Sequence, residues 1–410
     1  MKPAVPEPPA FWFDASACSG CKACVVACKD KNELEVGRNW RRVSEVSGGT
    51  WTQEGGAWRN DVFAHYLSIA CNHCDAPICL EGCPARAISR RNDGVVLLDS
   101  SRCLGCGYCS WLCPYSAPQL NVAQGTMSKC DFCVDLSDAG GEPACVSACP
   151  VRALDAGPLS ELAKRHEIRE NSRLSPQHWA PLPEPGLTQP QLLVTPHAAS
   201  ARIHTGPSEL RPRPADGLRE HSLVVFTVLS QAAAGALICA APLRLLFPEQ
   251  NLDEKILPAA LLLMLAAMLA STLHLGRPSR SWRAFLNLAS SWLSREVLLA
   301  TLFVLMLASG TWLPNSLACA WASSALGLGY LVGMVRVYRQ RTVPPWDARS
   351  TTVGFVSMAL VLGALLAHWA YWMQDPGRFA AWSAALFVGA IGLSLRYRMR
   401  FYARYARVGV

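Results

Sequence analysis

The apolar positions divide the chain into two kinds of text. Before residue 150 they come in short runs broken by glycine, proline and cysteine; after residue 221 they come in long stretches. Six of these stretches are long enough, or nearly so, to cross a bilayer, which takes about 20 apolar residues as a helix. They run from Ser222 to Leu243, Ile256 to Leu275, Val297 to Leu313, Ser316 to Val335, Thr352 to Met373 and Phe379 to Leu395. The third and sixth are short, and a hairpin of buried soluble helices is the competing reading for them. Trp312, Trp369, Trp372 and Trp382 stand near the ends of stretches, where indole rings anchor helices at the membrane interface. Six in succession predict an all-α polytopic membrane domain.

The first text predicts smaller elements. Val62 to Ile69 reads as a strand, and Gly48-Gly49 and Gly55-Gly56 flank Thr50-Trp51-Thr52 as turn signals, so residues 29–70 are expected to hold a β-rich insertion. Gly94 to Asp99 reads as a short buried strand and Leu159 to Glu170 as a short helix. Beyond it, Pro176, Pro181, Pro183, Pro185, Pro190 and Pro196 permit little regular structure.

Cysteine changes this picture most. Sixteen of the 18 cysteines fall into four quartets: Cys18, Cys21, Cys24, Cys28; Cys71, Cys74, Cys79, Cys83; Cys103, Cys106, Cys109, Cys113; and Cys130, Cys133, Cys145, Cys149. In the last three, proline follows the final cysteine directly, as Pro84, Pro114 and Pro150. That is the pattern of [4Fe–4S] binding, in which three close thiolates hold one cluster and the fourth reaches a neighbouring one. Against a secreted disulfide scaffold count the spacing, the Cys-Pro pairs, which have no role in one, and Met1 to Ala10, which is proline-rich with no apolar core of a signal peptide. Zinc takes four ligands per site and has no use for the third cysteine two residues further on. Cys239 and Cys319, inside apolar stretches, read as small buried hydrophobes.

Quartets two and three, 20 residues apart, form the ordinary two-cluster unit. Cys83 then joins Cys103, Cys106 and Cys109, and Cys113 joins Cys71, Cys74 and Cys79. The outer quartets are expected to pair in the same way: Cys28 with Cys130, Cys133 and Cys145, and Cys149 with Cys18, Cys21 and Cys24. The first and fourth groups must therefore meet in space. The fold class expected is an α+β ferredoxin-like domain holding four [4Fe–4S] clusters, followed by an all-α polytopic membrane domain of about six transmembrane helices. The boundaries expected are 1–208 for the cluster domain, 209–221 for a linker and 222–410 for the membrane anchor.

The net charge of +8 does not point to nucleic acid, because the excess arginine sits at the ends of apolar segments. The side bearing the amino-terminal domain carries sixteen arginines, among them Arg277, Arg280, Arg283 and Arg295, against Arg244, Lys255 and Arg378 on the other. By the positive-inside rule the cluster domain is cytoplasmic, and an even number of spans puts both ends there. The amino terminus shows no twin-arginine signal, which agrees.

Acids are few in the membrane half. His274 closes the second stretch and Glu296 opens the third, both on the cluster side. A histidine can hydrogen-bond a quinone oxygen and a carboxylate can take a proton as electrons leave, so the two suit a quinol site. Each has an ordinary role open to it as well: His274 could cap a helix carbonyl, and Glu296 could sit in a first helical turn. A b-type haem needs two facing histidines; His274 and His368 fall on opposite sides, so no haem is expected. An ion-translocating module would need polar groups deep in the spans, where the stretches show almost none. A passive anchor without quinone chemistry is the other alternative.

Residues 11–206 resemble the four-cluster electron-transfer subunit of membrane-bound dimethyl sulfoxide reductases. The likeness rests on the four quartets, on VFAHYLSIACNHCDAP (62–77) and on LPEPGLTQPQLLVTPHAAS (182–200), which resembles that subunit's extended carboxy-terminal arm. Residues 222–395 are similar to the anchor subunit of the same enzymes, most clearly in STLHLGRPSRSWRAFLNLASSWLSREV (271–297). The resemblance implies that His274 and Glu296 belong to a site for menaquinol or ubiquinol, and that a separate molybdopterin catalytic subunit is the partner. It implies that the cluster of Cys18, Cys21, Cys24 and Cys149 lies nearest that partner, and that of Cys71, Cys74, Cys79 and Cys113 nearest the membrane. Some relatives have tryptophan in place of the second cysteine of quartet three and hold a [3Fe–4S] cluster; Cys106 stands there, so four cubanes are expected. The chain departs from the family in fusing two subunits and in having six stretches rather than eight. Relatives that oxidise sulfite work on the cytoplasmic side with the same subunit types.

Overall fold

The computed structural model describes residues 7–166, 182–199, 217–246, 253–312, 317–343, 345–372 and 378–403. The chain divides into two compact units at Arg211 and Pro212, and each is described by itself.

The first unit is built on β1 (Pro9–Asp14). Its run Ala10-Phe11-Trp12-Phe13 is buried on both faces, as expected of a strand with a layer on each side. Phe11 and Phe13 face the core that holds the cysteines, while Ala10 and Trp12 face Leu162 and Leu193. The chain continues through α1 (Ala23–Lys31), β2 (Arg42–Gly48), β3 (Trp51–Glu54), β4 (Ala57–Asn60) and β5 (Phe63–Ile69). β2 and β5 pair antiparallel along their whole length, and the exposed hairpin of β3 and β4 projects between them on Gly55 and Gly56, both at positive φ. The β-rich insertion is thus two nested hairpins.

Then come α2 (Ile78–Gly82), the hairpin of β6 (Ile88–Arg90) and β7 (Val96–Leu98), α3 (Tyr108–Leu112) and the hairpin of β8 (Gln119–Asn121) and β9 (Thr126–Ser128). The short helices α4 (Val134–Asp138) and α5 (Ala144–Ser147) precede β10 (Leu154–Pro158), α6 (Leu159–Arg165) and β11 (Leu192–Thr195). β1 lies between β10, antiparallel, and β11, parallel. The proline-rich tail therefore contains a strand. Pro190 and Pro196 bracket β11 without removing a donor from it, and the edge of β1 supplies a partner that local composition cannot reveal. β1 and β10 join the two ends of the cysteine-bearing segment, bringing quartets one and four to the same place. The part of the expected linker from 209 to 216 lies outside the described residues; from Gly217 the chain is already helical.

The second unit consists of α7 (Gly217–Leu246), α8 (Asp253–Leu273), α9 (Trp292–Trp312), α10 (Leu317–Tyr338), α11 (Arg349–Trp372) and α12 (Arg378–Ala403). A 3-10 helix, Pro278–Phe285, joins α8 to α9. α7 to α11 are long and apolar enough to cross a membrane, and α12 is 26 residues long with Arg396, Arg398 and Arg400 in its last turns. The third and sixth stretches, short by hydropathy, are the full-length helices α9 and α12, since helices continue into flanking polar turns. α7 packs against α8, α10, α11 and α12. Its crossing with α11 is backbone against backbone: a Cβ on Gly235 would stand 1.8 Å from the Ala359 carbonyl oxygen, and one on Gly363 would stand 2.1 Å from the Gly235 carbonyl carbon. A mixed α/β unit bearing the cysteine quartets is thus followed in the chain by a helical unit with, among the described residues, five helices long and apolar enough to cross a membrane.

Candidate metal centres

Each quartet begins with a loop that turns its thiols to one point, and the backbone repeats to do so. The second residue after the leading cysteine has positive φ in all four cases: Gly20, His73, Gly105 and Phe132. The third residue after a terminal Cys-Pro cysteine does likewise, as Arg86, Ser116 and Arg152. Left-handed conformations cost L-residues roughly 1–2 kcal/mol each, so their recurrence at one place in the motif marks a geometry imposed by what the loop encloses. Backbone amides then point at sulfur: Gly105 N donates to Cys103 Sγ at 3.3 Å and Phe132 N to Cys130 Sγ at 3.4 Å. Ala87 N donates to Cys83 Sγ at 3.3 Å and Ala153 N to Cys149 Sγ at 3.2 Å.

The thiols converge in crossed sets. One cavity is lined by Cys28, Cys130, Cys133 and Cys145, with Phe11, Trp40 and Arg41 among its other walls. A second is lined by Cys18, Cys21, Cys24 and Cys149. They contain about 280 and 300 Å³ of space, solvent at their mouths included. In the third set Cys79 has Cys113, Cys71 and Cys74 as neighbours, and in the fourth Cys109 has Cys106, Cys83 and Cys103. Burial pushes the Cys28 thiol up to about 11, with the neighbouring Cys145 adding to it, and pushes Cys106 up to about 12. Four such thiols ionise together only when a metal supplies the opposing charge. Soft, buried thiolates that also accept N–H···S bonds fit a [4Fe–4S] cluster, whose potential those bonds tune.

The sets stand in a definite series. Cys24 neighbours Cys145, Cys130 neighbours Cys71, and Cys109 neighbours Cys79. The order is therefore the Cys18 set, the Cys28 set, the Cys71 set and the Cys83 set. The core shared by the first three includes no cysteine of the last. This corrects the expectation that the Cys71 set ends the series. β5 leads directly into Cys71 and is paired with β2, which holds the loop against quartet four; quartet three, beyond β7, is left at the end.

Two cations lie among these sets, and neither was singled out from the sequence. Arg41, 2% exposed, is a wall of the Cys28 cavity. Its Nη1 donates to Ser68 Oγ at 3.2 Å, Ser68 Oγ lies 3.6 Å from Cys24 Sγ, and its guanidinium sits 4.6 Å from the Phe11 ring centroid. Lys129, 4% exposed, donates to the Val96 carbonyl and, at 3.0 Å, to the Cys130 carbonyl. Burial, with Lys129 beside it, holds His73 well below its ordinary pKa, and His73 Nδ1 accepts from Val96 N at 3.1 Å. Lys129 stands immediately before Cys130, a signal that adjacency could have provided; Arg41 lies in an unremarkable polar stretch.

In the second unit His274 follows the last residue of α8 and is half-buried, while Glu296 lies in the second turn of α9 at 3% exposure. α8 and α9 pack together, each against the 3-10 helix between them, so both residues belong to one end of the bundle. Glu296 Oε1 has no hydrogen-bond partner among the described residues. Gly333 of α10 lets its helix approach: a Cβ there would stand 3.7 Å from Glu296 Cα. Tyr330 and Tyr338 are within electrostatic reach of the carboxyl group. The bundle interior also holds Thr227, Ser230 and Gln231 of α7 and Arg398 of α12, all fully buried. The expectation of almost no polar groups deep in the helices is therefore corrected; single polar residues in apolar runs barely alter hydropathy, yet packing gathers them inside. His368 lies near the far end of α11, at the opposite end of the bundle from His274.

Residues 62–159 match the family described as 4Fe-4S dicluster domain, and residues 215–396 that described as DMSO reductase anchor subunit (DmsC). The chain is 46% identical over 190 residues to the iron–sulfur subunit of the anaerobic dimethyl sulfoxide reductase of Escherichia coli K12, which covers 46% of this chain and 89% of that one. It is 35% identical over 227 residues to one subunit of the sulfite dehydrogenase of Allochromatium vinosum, covering 49% and 88%. The iron-sulfur subunit of the nitrate-inducible formate dehydrogenase of E. coli K12 is 38% identical over 166 residues, covering 38% and 56%.

Proposed function

Because this polypeptide belongs to the family of the dimethyl sulfoxide reductase iron–sulfur subunit and also carries that enzyme's anchor, we propose that it links a quinone pool to a separate molybdopterin catalytic subunit. The observation that carries the reading is the convergence of cysteines from distant quartets into four crossed sets in series. Bound [4Fe–4S] clusters would supply single-electron carriers along that series. In this reading Cys18, Cys21, Cys24 and Cys149 hold the one at the partner's end. Cys28 with Cys130, Cys133 and Cys145, then Cys71, Cys74 and Cys79 with Cys113, hold the two between. Cys83 with Cys103, Cys106 and Cys109 holds the one at the anchor's end.

At the membrane, His274 hydrogen-bonds a quinol oxygen and Glu296 accepts the proton released on oxidation. Support comes from the burial of Glu296, its Oε1 without a partner among the described residues, and its position at the same end of the bundle as His274. The cluster domain faces the cytoplasm of the inner membrane, by the arginine distribution. No haem takes part. A second reading, a cytoplasm-facing complex that passes electrons from sulfite to quinone, is favoured by that orientation and by the likeness to the sulfite dehydrogenase.

The test is reduction of the clusters in membranes by a quinol analogue, followed by low-temperature EPR. With His274→Ala or Glu296→Gln, quinol-driven reduction should fall at least tenfold, while dithionite still reduces every cluster. Unchanged quinol rates would leave the helices as a passive anchor.

A further inference from the structure

Arg41 and Lys129 have no part in holding iron, yet each is buried at a boundary between two cysteine sets. The charges bearing on Arg41 are those of Cys145, Cys24 and Cys130, which belong to the first and second sets of the series. Those bearing on Lys129 are Cys71, Cys79 and Cys130, from the third set and the second. No carboxylate pairs with either cation among the described residues: Arg41 reaches Ser68 and the Cys145 thiol, and Lys129 reaches the Val96 and Cys130 carbonyls and the Cys71 thiol. A buried cation without a carboxylate is unfavourable unless another anion compensates it.

We propose that Arg41 and Lys129 set the reduction potentials along the cluster series, one at the first junction and one at the second. The inference rests on the reading of the cysteine sets as cluster ligands. Each reduction adds one negative charge to a cluster that is already anionic, and a fixed positive charge in a low-dielectric interior stabilises the reduced form more than the oxidised one. Arginine suits the task because its guanidinium stays charged. Its position is held independently of any cluster, by the bond to Ser68 and the stack on Phe11. Lys129 is likewise pinned by the Val96 and Cys130 carbonyls. The second set, touched by both cations, should be raised most. The Cys83 set, at the far end of the series, touches neither and should be raised least, so the two cations grade the series.

The experiment is an EPR-monitored redox titration of membranes holding the full chain, with iron content measured in parallel. Arg41→Gln should shift two of four midpoint potentials downward, and Lys129→Gln should shift two, with one cluster common to both. Arg41→Lys and Lys129→Arg should keep all four midpoints near the native values. Neutral variants with a full iron complement and four unchanged midpoints overturn the proposal. Should the neutral variants fail to assemble, the charge-retaining pair decides: assembly with native midpoints supports a role for the charge, and loss of clusters there too reduces both residues to packing. A native chain without four [4Fe–4S] signals would instead sink the cluster reading itself.

Discussion

Gly20 sits between the first two cysteines with φ +71°, and the Tyr66 ring lies 2.6 Å from where its Cβ would stand. The space is closed to any side chain and the conformation strains a β-branched one, so Gly20→Val should open the loop of Cys18, Cys21 and Cys24. One cluster's worth of iron and one EPR signal are expected to disappear, with the other three retained. The equivalent His73 and Phe132 adopt the same conformation with side chains, which shows that the loop and not the residue dictates it. Cys106 tests the ligand assignment differently. Removing one of four thiolates leaves one iron corner unheld, so Cys106→Ala should convert a cubane to [3Fe–4S], read as a new EPR signal in the oxidised protein. The cysteines and their loops were legible in the sequence because covalent spacing alone limits what four close thiols can do. Arg41 was not legible, since nothing near residue 41 shows that β2 and β5 will carry it between two cysteine sets.

Among elements, β1 and the α7–α11 pair carry the most. β1 is a short apolar strand, but its two neighbours in the sheet come from residues 154–158 and 192–195. It thereby ties the beginning of the unit to its end. The crossing of α7 and α11 depends on Gly235 and Gly363, where main chains touch. Close approach through small residues is how helices associate where no hydrophobic driving force separates them. Gly235→Val should therefore force the helices apart, with an overpacking cost of about 1–3 kcal/mol or more. Size-exclusion chromatography in detergent after graded heating should show aggregation at a lower temperature, with the cluster spectrum at room temperature unchanged. Helix existence was plain from hydropathy; which face of α7 meets α11 was not, because apolar all-round helices carry no amphipathic stripe.

For the whole molecule, the proposed cytoplasmic placement of the cluster domain rests on the arginine distribution. Digestion of right-side-out spheroplasts should leave the first 200 residues intact, and digestion of inverted vesicles should remove them; the reverse pattern would overturn the orientation. Under the proposed function the direction of electron flow belongs to the partner, so the chain alone is expected to carry electrons and convert no sulfur substrate, which an assay of the purified chain with a reduced dye and a sulfoxide would check.

The sequence by itself determined the two-part architecture, the four quartets and the helical membrane half, because each follows from local spacing or local hydropathy. It also carried the crossed pairing, by the logic of the two-cluster unit. Only the tertiary structure decided the order of the sets, placing the Cys71 set third and the Cys83 set last. It alone gathered polar groups into the interior of the helices and put a cation at each of two junctions. These are contacts between residues far apart in the chain, set by strand pairing and helix packing, and no short stretch of sequence encodes them.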